Sequence, residues 1–315
     1  MNDHIKLADN FLLHSIIDGK LAHSYDIERN IYVKPYPEAT GYILSYFAEY
    51  YHDVPEEVLS AADYLCKIQH ESGGYQSFDN TNYLFSFDTS QIMHGLASLY
   101  DKTHKEQYLI AAKNCASFIK SMMRSNGSVF PIYNIAKKAK YVNRWGDWGN
   151  SFSYIQTKNI EGLLLMFSLT QNSEYFDMAV KLKNYGKKKC RLEFTHPSAY
   201  CLEGLWAIDE KKFVAERLKK EIIPRIKVNG FLSYHKKLPY AYVSGSCQMG
   251  ILLYKADFKD YAYLILQWAR QVQSHHDSGG LFQYANPDGS LNSKVHSQIN
   301  TWGTKYYAQL ERLFS

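Results

Sequence analysis

Four residues stand where acid and base chemistry would need them: Glu38, Asp88, Asp147 and His196. Glu38 follows Pro37, and proline favours the first turn of a helix, where its missing N–H is no loss. Behind it Ile43, Leu44, Phe47, Ala48 and Tyr51 recur at helical spacing and mark a buried face. Asp88 and His196 head two further apolar helices in the same way, and Ser151, Ser244 and Asn300 head three more. Asp147 lies in the aromatic loop Arg144-Trp145-Gly146-Asp147-Trp148. Two carboxyl groups, one protonated acid and one base or nucleophile, are what glycoside hydrolysis requires. A His or Tyr base beside a neutralised carboxylate is what a uronate lyase or C5-epimerase requires, because the proton to be removed lies α to a carboxylate. His196, Tyr200, His94 and Tyr42 supply bases for the second chemistry, and Arg144 supplies the neutralising charge. Each has a structural alternative: an acid at a helix start caps it, and a histidine there often only holds a hydrogen bond.

Around these residues the composition suits a sugar. The chain has 27 tyrosines among 315 residues, and a ring that carries a hydroxyl fits a surface that must be apolar and wet together. Tyr36, Tyr42, Tyr200, Trp145, Trp148 and Trp302 are the expected substrate-binding rings. Glu203, with Glu161 in the matching position, sits at least one turn deeper than the helix heads, where a carboxylate is costly unless bonded. Lys34, Lys137, Lys138, Lys140 and Arg144 lie on loops beside the helix starts. Unpaired N–H groups and positive dipole ends converge there, so the expected ligand is anionic: an acidic oligosaccharide or polysaccharide precursor.

The elements that must position these residues are helices of two alternating kinds. Helices apolar on most faces start at Glu38, Asp88, Ser151, His196, Ser244 and Asn300. Between them run amphipathic helices with one apolar stripe, such as the one after Asp53-Val-Pro-Glu-Glu57, where Val58, Ala61, Ala62, Leu65 and Ile68 line up. Further amphipathic helices are expected over His4 to Ile17, Lys105 to Arg124, Ser173 to Lys188, Glu210 to Ile226 and Phe258 to Gln273. The apolar starts fall roughly 40 to 65 residues apart, a period that argues for a repeat architecture. Met93-His-Gly-Leu96, Ile160-Glu-Gly-Leu163, Leu202-Glu-Gly-Leu205 and Gln248-Met-Gly-Ile251 place a glycine at one depth in successive helices, which lets neighbours approach closely. Six such pairs close into a double ring, an all-α (α/α)6 toroid of six helical hairpins formed as one domain over residues 1–315. Its long loops, with short β-hairpins, gather at the rim where the inner helices begin.

YPEATGY from Tyr36, FDTSQIMHGL from Phe87, THPSAYCLEGL from Thr195 and VSGSCQMGILL from Val243 resemble recurring blocks of the α/α-toroid group. That group includes terpene-cyclase and prenyltransferase-like repeats and six-hairpin sugar-active enzymes, and the nearest likeness is to toroids associated with bacterial polysaccharide biosynthesis. The stretches Gln69 to Gly74 and Gln273 to Gly280 look like degenerate terpene-cyclase repeats, but the Asp-rich acid motif of those cyclases is missing. The resemblance implies the fold and a role in polysaccharide metabolism, either as an enzyme on an acidic glycan or as a glycan-binding scaffold that has lost the chemistry.

Other classes fit poorly. A net charge of +5 is a mild bias with no nucleic-acid motif. Neither a phosphate-binding glycine loop nor a dinucleotide fingerprint is present, so no cofactor is expected. His275-His276-Asp277 lacks partners at ligand spacing, so no metal is expected. Five cysteines, an odd count mostly in helical patterns, suit free thiols in a reducing compartment. With no membrane span in the sequence, the expectation is a cytoplasmic protein.

Overall fold

The computed structural model describes residues 2–77, 82–142 and 154–315. Among the described residues there are twelve α-helices: α1 Asp3–His14, α2 Pro37–Tyr50, α3 Glu56–Ile68, α4 Ser86–Thr103, α5 Glu106–Met122, α6 Asn159–Thr170, α7 Ser173–Lys189, α8 Thr195–Ala207, α9 Lys211–Arg217, α10 Val243–Lys255, α11 Lys259–Ser274 and α12 Thr301–Arg312. The even-numbered helices touch in chain order, and α12 packs back on α2, so the inner ring closes. Each odd-numbered helix lies outside an inner one: α3 on α2, α5 on α4, α7 on α6, α9 on α8, α11 on α10 and α1 on α12. Burial follows this division. α2 buries every residue from Glu38 to Ala48, whereas α3 buries only the stripe Val58, Ala61, Ala62 and Leu65.

The seam where chain ends meet is held by ions as well as packing. Glu311 on α12, wholly buried, takes both Nε (2.5 Å) and Nη2 (2.8 Å) of Arg270 on α11. Asp9 on α1 accepts from Arg312 Nη2 at 2.7 Å and from the Tyr46 hydroxyl of α2 at 2.5 Å, joining three helices. Paired, hydrogen-bonded charges of this kind are the form in which burial is tolerated.

The connections from outer to inner helices carry the short strands, all antiparallel. Ser24–Asp26 pairs with Ile31–Tyr32 on one side and with Gln298–Asn300 on the other, and the latter pairs with Leu281–Phe282, so the loop before α2 is stitched to the loop before α12. Tyr83–Phe85, Ile132–Asn134 and Ala139–Tyr141 form a second sheet before α4 and α6. Connections from inner to outer helices are short turns at the opposite face. α1 ends earlier than the apolar pattern suggests, because Ile16–Ile17 pairs with Lys20–Leu21. The expected helix from Glu210 to Ile226 is α-helical only to Arg217; it continues as a π-turn over Leu218–Ile222 and a 3-10 turn over Ile223–Arg225, where Pro224 has no N–H to donate. Ser151 lies outside the described residues, and α6 is preceded by a 3-10 turn, Tyr154–Lys158.

The repeated glycines are not equivalent. A Cβ on Gly95 would meet the carbonyl oxygen of Gly41 at 2.4 Å, and one on Gly41 would meet that of Gln91 at 2.4 Å, so α2 and α4 touch backbone to backbone. A Cβ on Gly162 would instead meet Met93 Cε at 2.8 Å, the movable end of a flexible side chain. Gly95→Ala is therefore expected to destabilise the protein by about 1–3 kcal/mol through overpacking. Gly162→Ala should cost far less, since helix propensity returns up to about 1 kcal/mol. Urea unfolding of the two variants checks this, and equal losses would contradict it.

Candidate functional site

The heads of the inner helices bring together most of the expected site. Tyr36 is the extended residue before α2, Glu38 follows in its first turn, and Tyr42 lies one turn further on. The Tyr36 hydroxyl donates to Glu38 Oε2, and the Tyr42 hydroxyl donates to Oε1 at 3.0 Å. Asp88, in the first turn of α4, is buried within electrostatic reach of Glu38 and beside Ser77. Burial, and then the charge of Glu38, pushes the Asp88 carboxyl well above the usual carboxylate range. Its Oδ2 faces no donor, which suits an oxygen that itself carries a proton. Two interacting carboxyl groups in one buried site cannot both ionise readily, so the pair holds one proton between them.

His196 opens α8 and is 2% exposed. Its Nδ1 lies 2.6 Å from Gln248 Oε1 and 3.3 Å from Ser244 Oγ, both on α10. Gln248 Nε2 donates to Glu203 Oε2 at 2.9 Å, and the same carboxylate oxygen accepts from Lys158 Nζ at 2.9 Å. This orients the amide with its oxygen toward the histidine, which assigns the imidazole proton to Nδ1 and leaves Nε2 as the basic nitrogen. Burial holds His196 down to about 3, with the Gln248 bond opposing, so the ring is neutral. Tyr200 and Tyr242 flank it at centroid distances of 4.5 and 4.6 Å. Trp302, at the head of α12, packs edge-on against His23 at 4.8 Å and lies 6.0 Å from Tyr36. Burial takes His23 down to about 4, so this imidazole is neutral too.

Below the heads an aromatic layer crosses the ring axis. The Tyr42 and Tyr200 rings lie parallel within 4° at 6.3 Å, with Phe87 at 4.9 Å from Tyr200 and Tyr306 at 5.9 Å from Tyr42. Glu203 lies one turn further along α8 than Tyr200 and, among the described residues, shares a cavity with one other expected binding residue, Tyr42. There Lys158 bridges it to Glu161 at 2.6 Å. Burial works against ionising Glu161, but Lys158 outweighs it and holds the carboxylate down to about 2. A cavity of about 430 Å³ opens from this level toward the short-turn face, lined by Lys158, Glu161, Glu203, His94, Lys305 and Trp206 among others. Glu38, Asp88 and His196 do not line it.

Arg144, Trp145, Asp147 and Trp148 lie outside the described residues. Among the described residues no group of three or more His, Cys, Asp or Glu side chains is placed to hold a metal ion. Sequence reasoning passed over Ser77, Lys158, Gln248, His23 and Lys305. The signal for two of them was present: Lys158 stands before the apolar α6, and Lys305 interrupts the apolar α12.

The shared proton has a measurable consequence. An acid whose pKa is raised by folding stabilises the folded state at low pH, and that contribution is lost as pH climbs above the ordinary value of 3.8. Asp88→Asn removes the ionisable group while keeping a donor toward Glu38. Relative to this variant, the wild type is expected to lose stability as pH rises above about 4. Urea unfolding at stepped pH reads the difference, and parallel curves would contradict the raised carboxyl.

No family model matches the chain, and neither does any curated protein sequence. Solved structures do. The cellobiose 2-epimerase of Bacillus thermoamylovorans superposes with a TM-score of 0.76 at 12% identity, covering 99% of this chain and 100% of that one. A D-mannose isomerase gives 0.70 at 15% identity, covering 99% and 95%. The unsaturated glucuronyl hydrolase of a Bacillus species gives 0.67 at 14% identity, covering 98% and 94%. At such identities the likeness carries the architecture alone: the chain has the six-hairpin, (α/α)6 toroid fold.

Proposed function

We propose that the protein acts on a sugar at the long-loop rim by proton transfer, the epimerase or lyase type of chemistry. The observation that carries this is the buried Asp88 carboxyl, pushed well above the usual carboxylate range by burial and by the charge of Glu38. Glycosidase carboxyl pairs stand about 5–5.5 Å apart when retaining and about 6.5–9.5 Å when inverting. Glu38 and Asp88 interact strongly enough as buried carboxyls that Asp88 is kept protonated. A carboxylic acid kept neutral is suited instead to donating toward an oxygen on which negative charge develops. His196, with Nε2 unprotonated, is the base that removes the proton from the carbon next to a carbonyl or carboxylate. Tyr36, Tyr42 and Tyr200 position the sugar, and Trp302 offers a ring face.

The finer reading is an acidic sugar from a bacterial glycan or its precursor. It is supported by Lys137, Lys138 and Lys140, exposed at the hairpin before α6, and by Lys34 before α2. The names of the similar structures, an epimerase, an isomerase and a glucuronyl hydrolase, are compatible with sugar chemistry here. One observation favours a glycan-binding protein without turnover: a histidine held near 3 is a weak base in the resting protein.

Incubation with D-glucuronate, D-mannose or cellobiose in D2O, followed by proton NMR, separates the two. The enzyme reading expects deuterium at the carbon adjacent to the carbonyl or carboxylate, with His196→Ala slowing exchange by about 10²- to 10⁴-fold. Binding of a sugar without any exchange would overturn it in favour of the binder.

A further inference from the structure

The short-turn end of the ring carries a cavity that, among the described residues, shares only Tyr42, from the aromatic layer, with the rim site. Its volume, about 430 Å³, is that of a small-molecule site rather than a packing defect. At its floor lies Lys305, on the second turn of α12 and 5% exposed. The ammonium rests 4.1 Å from the centre of the Tyr306 ring and 5.7 Å from that of Tyr42. Among the described residues it has no hydrogen-bond acceptor and no carboxylate at ion-pair distance, in contrast to Lys158. His94 faces the same space, and neither ring nitrogen makes a hydrogen bond among the described residues.

Helix dipoles do not explain this lysine. A cation that complements a dipole sits in the last turn, whereas Lys305 sits near the N-terminal end of its helix, where the field opposes it. A buried ammonium without an acceptor is costly and is retained only against some gain. Burial, and then the charge of Lys158, brings it down to about 7, so the protein alone does not hold it firmly charged.

From this geometry we infer a second ligand site, at the face opposite the rim, for a monosaccharide-sized hydroxy acid whose carboxylate lies on Lys305. Lys305 is a buried cation of the cavity, with Glu161 and Glu203 close by and Lys255 and Glu49 also in the lining, so the charges nearest Lys305 match a monoanion better than a dianion such as a phosphate ester. His94 and the open side of Glu161 receive hydroxyl groups, and Trp206 at the mouth offers a face to a sugar ring. The aromatic layer of Tyr42 and Tyr200 separates this site from His196, and the inference does not depend on the rim chemistry.

Isothermal titration of the full chain with sodium D-glucuronate tests it, with D-glucose and glucose 6-phosphate as probes of the same shape. Glucuronate is expected to bind more tightly than either. Lys305→Met should weaken it by about ten- to a hundredfold, the worth of a charged hydrogen bond. Trp206→Ala, at the half-buried mouth, should also weaken it, and this variant serves if Lys305→Met fails to fold. Asp88→Asn acts on any glucuronate held at the rim and should leave the Lys305-dependent binding unchanged. Absence of glucuronate binding, equal binding of glucose, tighter binding of glucose 6-phosphate, or binding that survives Lys305→Met but is lost in Asp88→Asn would each overturn the inference. The last of these results would move the ligand to the rim and leave the rim reading intact.

Discussion

A closed ring of inner helices leaves an axis that only side chains can fill, and water reaches it only from the two ends. Every ionisable group there must be paired, neutral or facing a ligand, because an isolated buried charge is too costly. The chain meets this constraint in three different ways. Glu38 accepts from two tyrosine hydroxyls, and Asp88 near it is kept protonated. Lys158 takes two carboxylates. His196 and His94 are held neutral by burial. Lys305 is the exception, seated on aromatic faces at the floor of a cavity.

The same constraint ties the two ends of the ring together. The run Lys158, Glu203, Gln248, His196 passes from the cavity to the rim through hydrogen bonds of 2.6 to 2.9 Å. Glu203 therefore acts on the rim without reaching it: by fixing the Gln248 amide it fixes which nitrogen of His196 is basic.

What the sequence made legible follows from where the information sits. The double ring could be read because inner helices are apolar on nearly every face and outer ones on a single stripe, and because helix heads recur at Glu38, Asp88 and His196. The same heads located the rim cluster, since residues in the first turn of successive inner helices must converge. Depth along the axis was harder to read. One turn separates Tyr200 from Glu203, yet the aromatic layer between them assigns the two to different ends. Lys158 and Lys305 were missed because a lysine in a helix is ordinarily solvated, and only tertiary packing shows that neither is. The glycines were read as one crowded layer, whereas Gly41 and Gly95 serve backbone contact and Gly162 faces a movable methionine.

The proton-transfer chemistry at the rim depends most heavily on the neutral carboxyl there. Infrared spectroscopy of the protein at neutral pH, where ordinary carboxyl groups are ionised, addresses it directly. A protonated-carboxyl C=O band should be present in the wild type and absent from Asp88→Asn. A spectrum without that band at neutral pH, or a band that persists in the variant, would contradict the shared proton and the proton-transfer chemistry built on it.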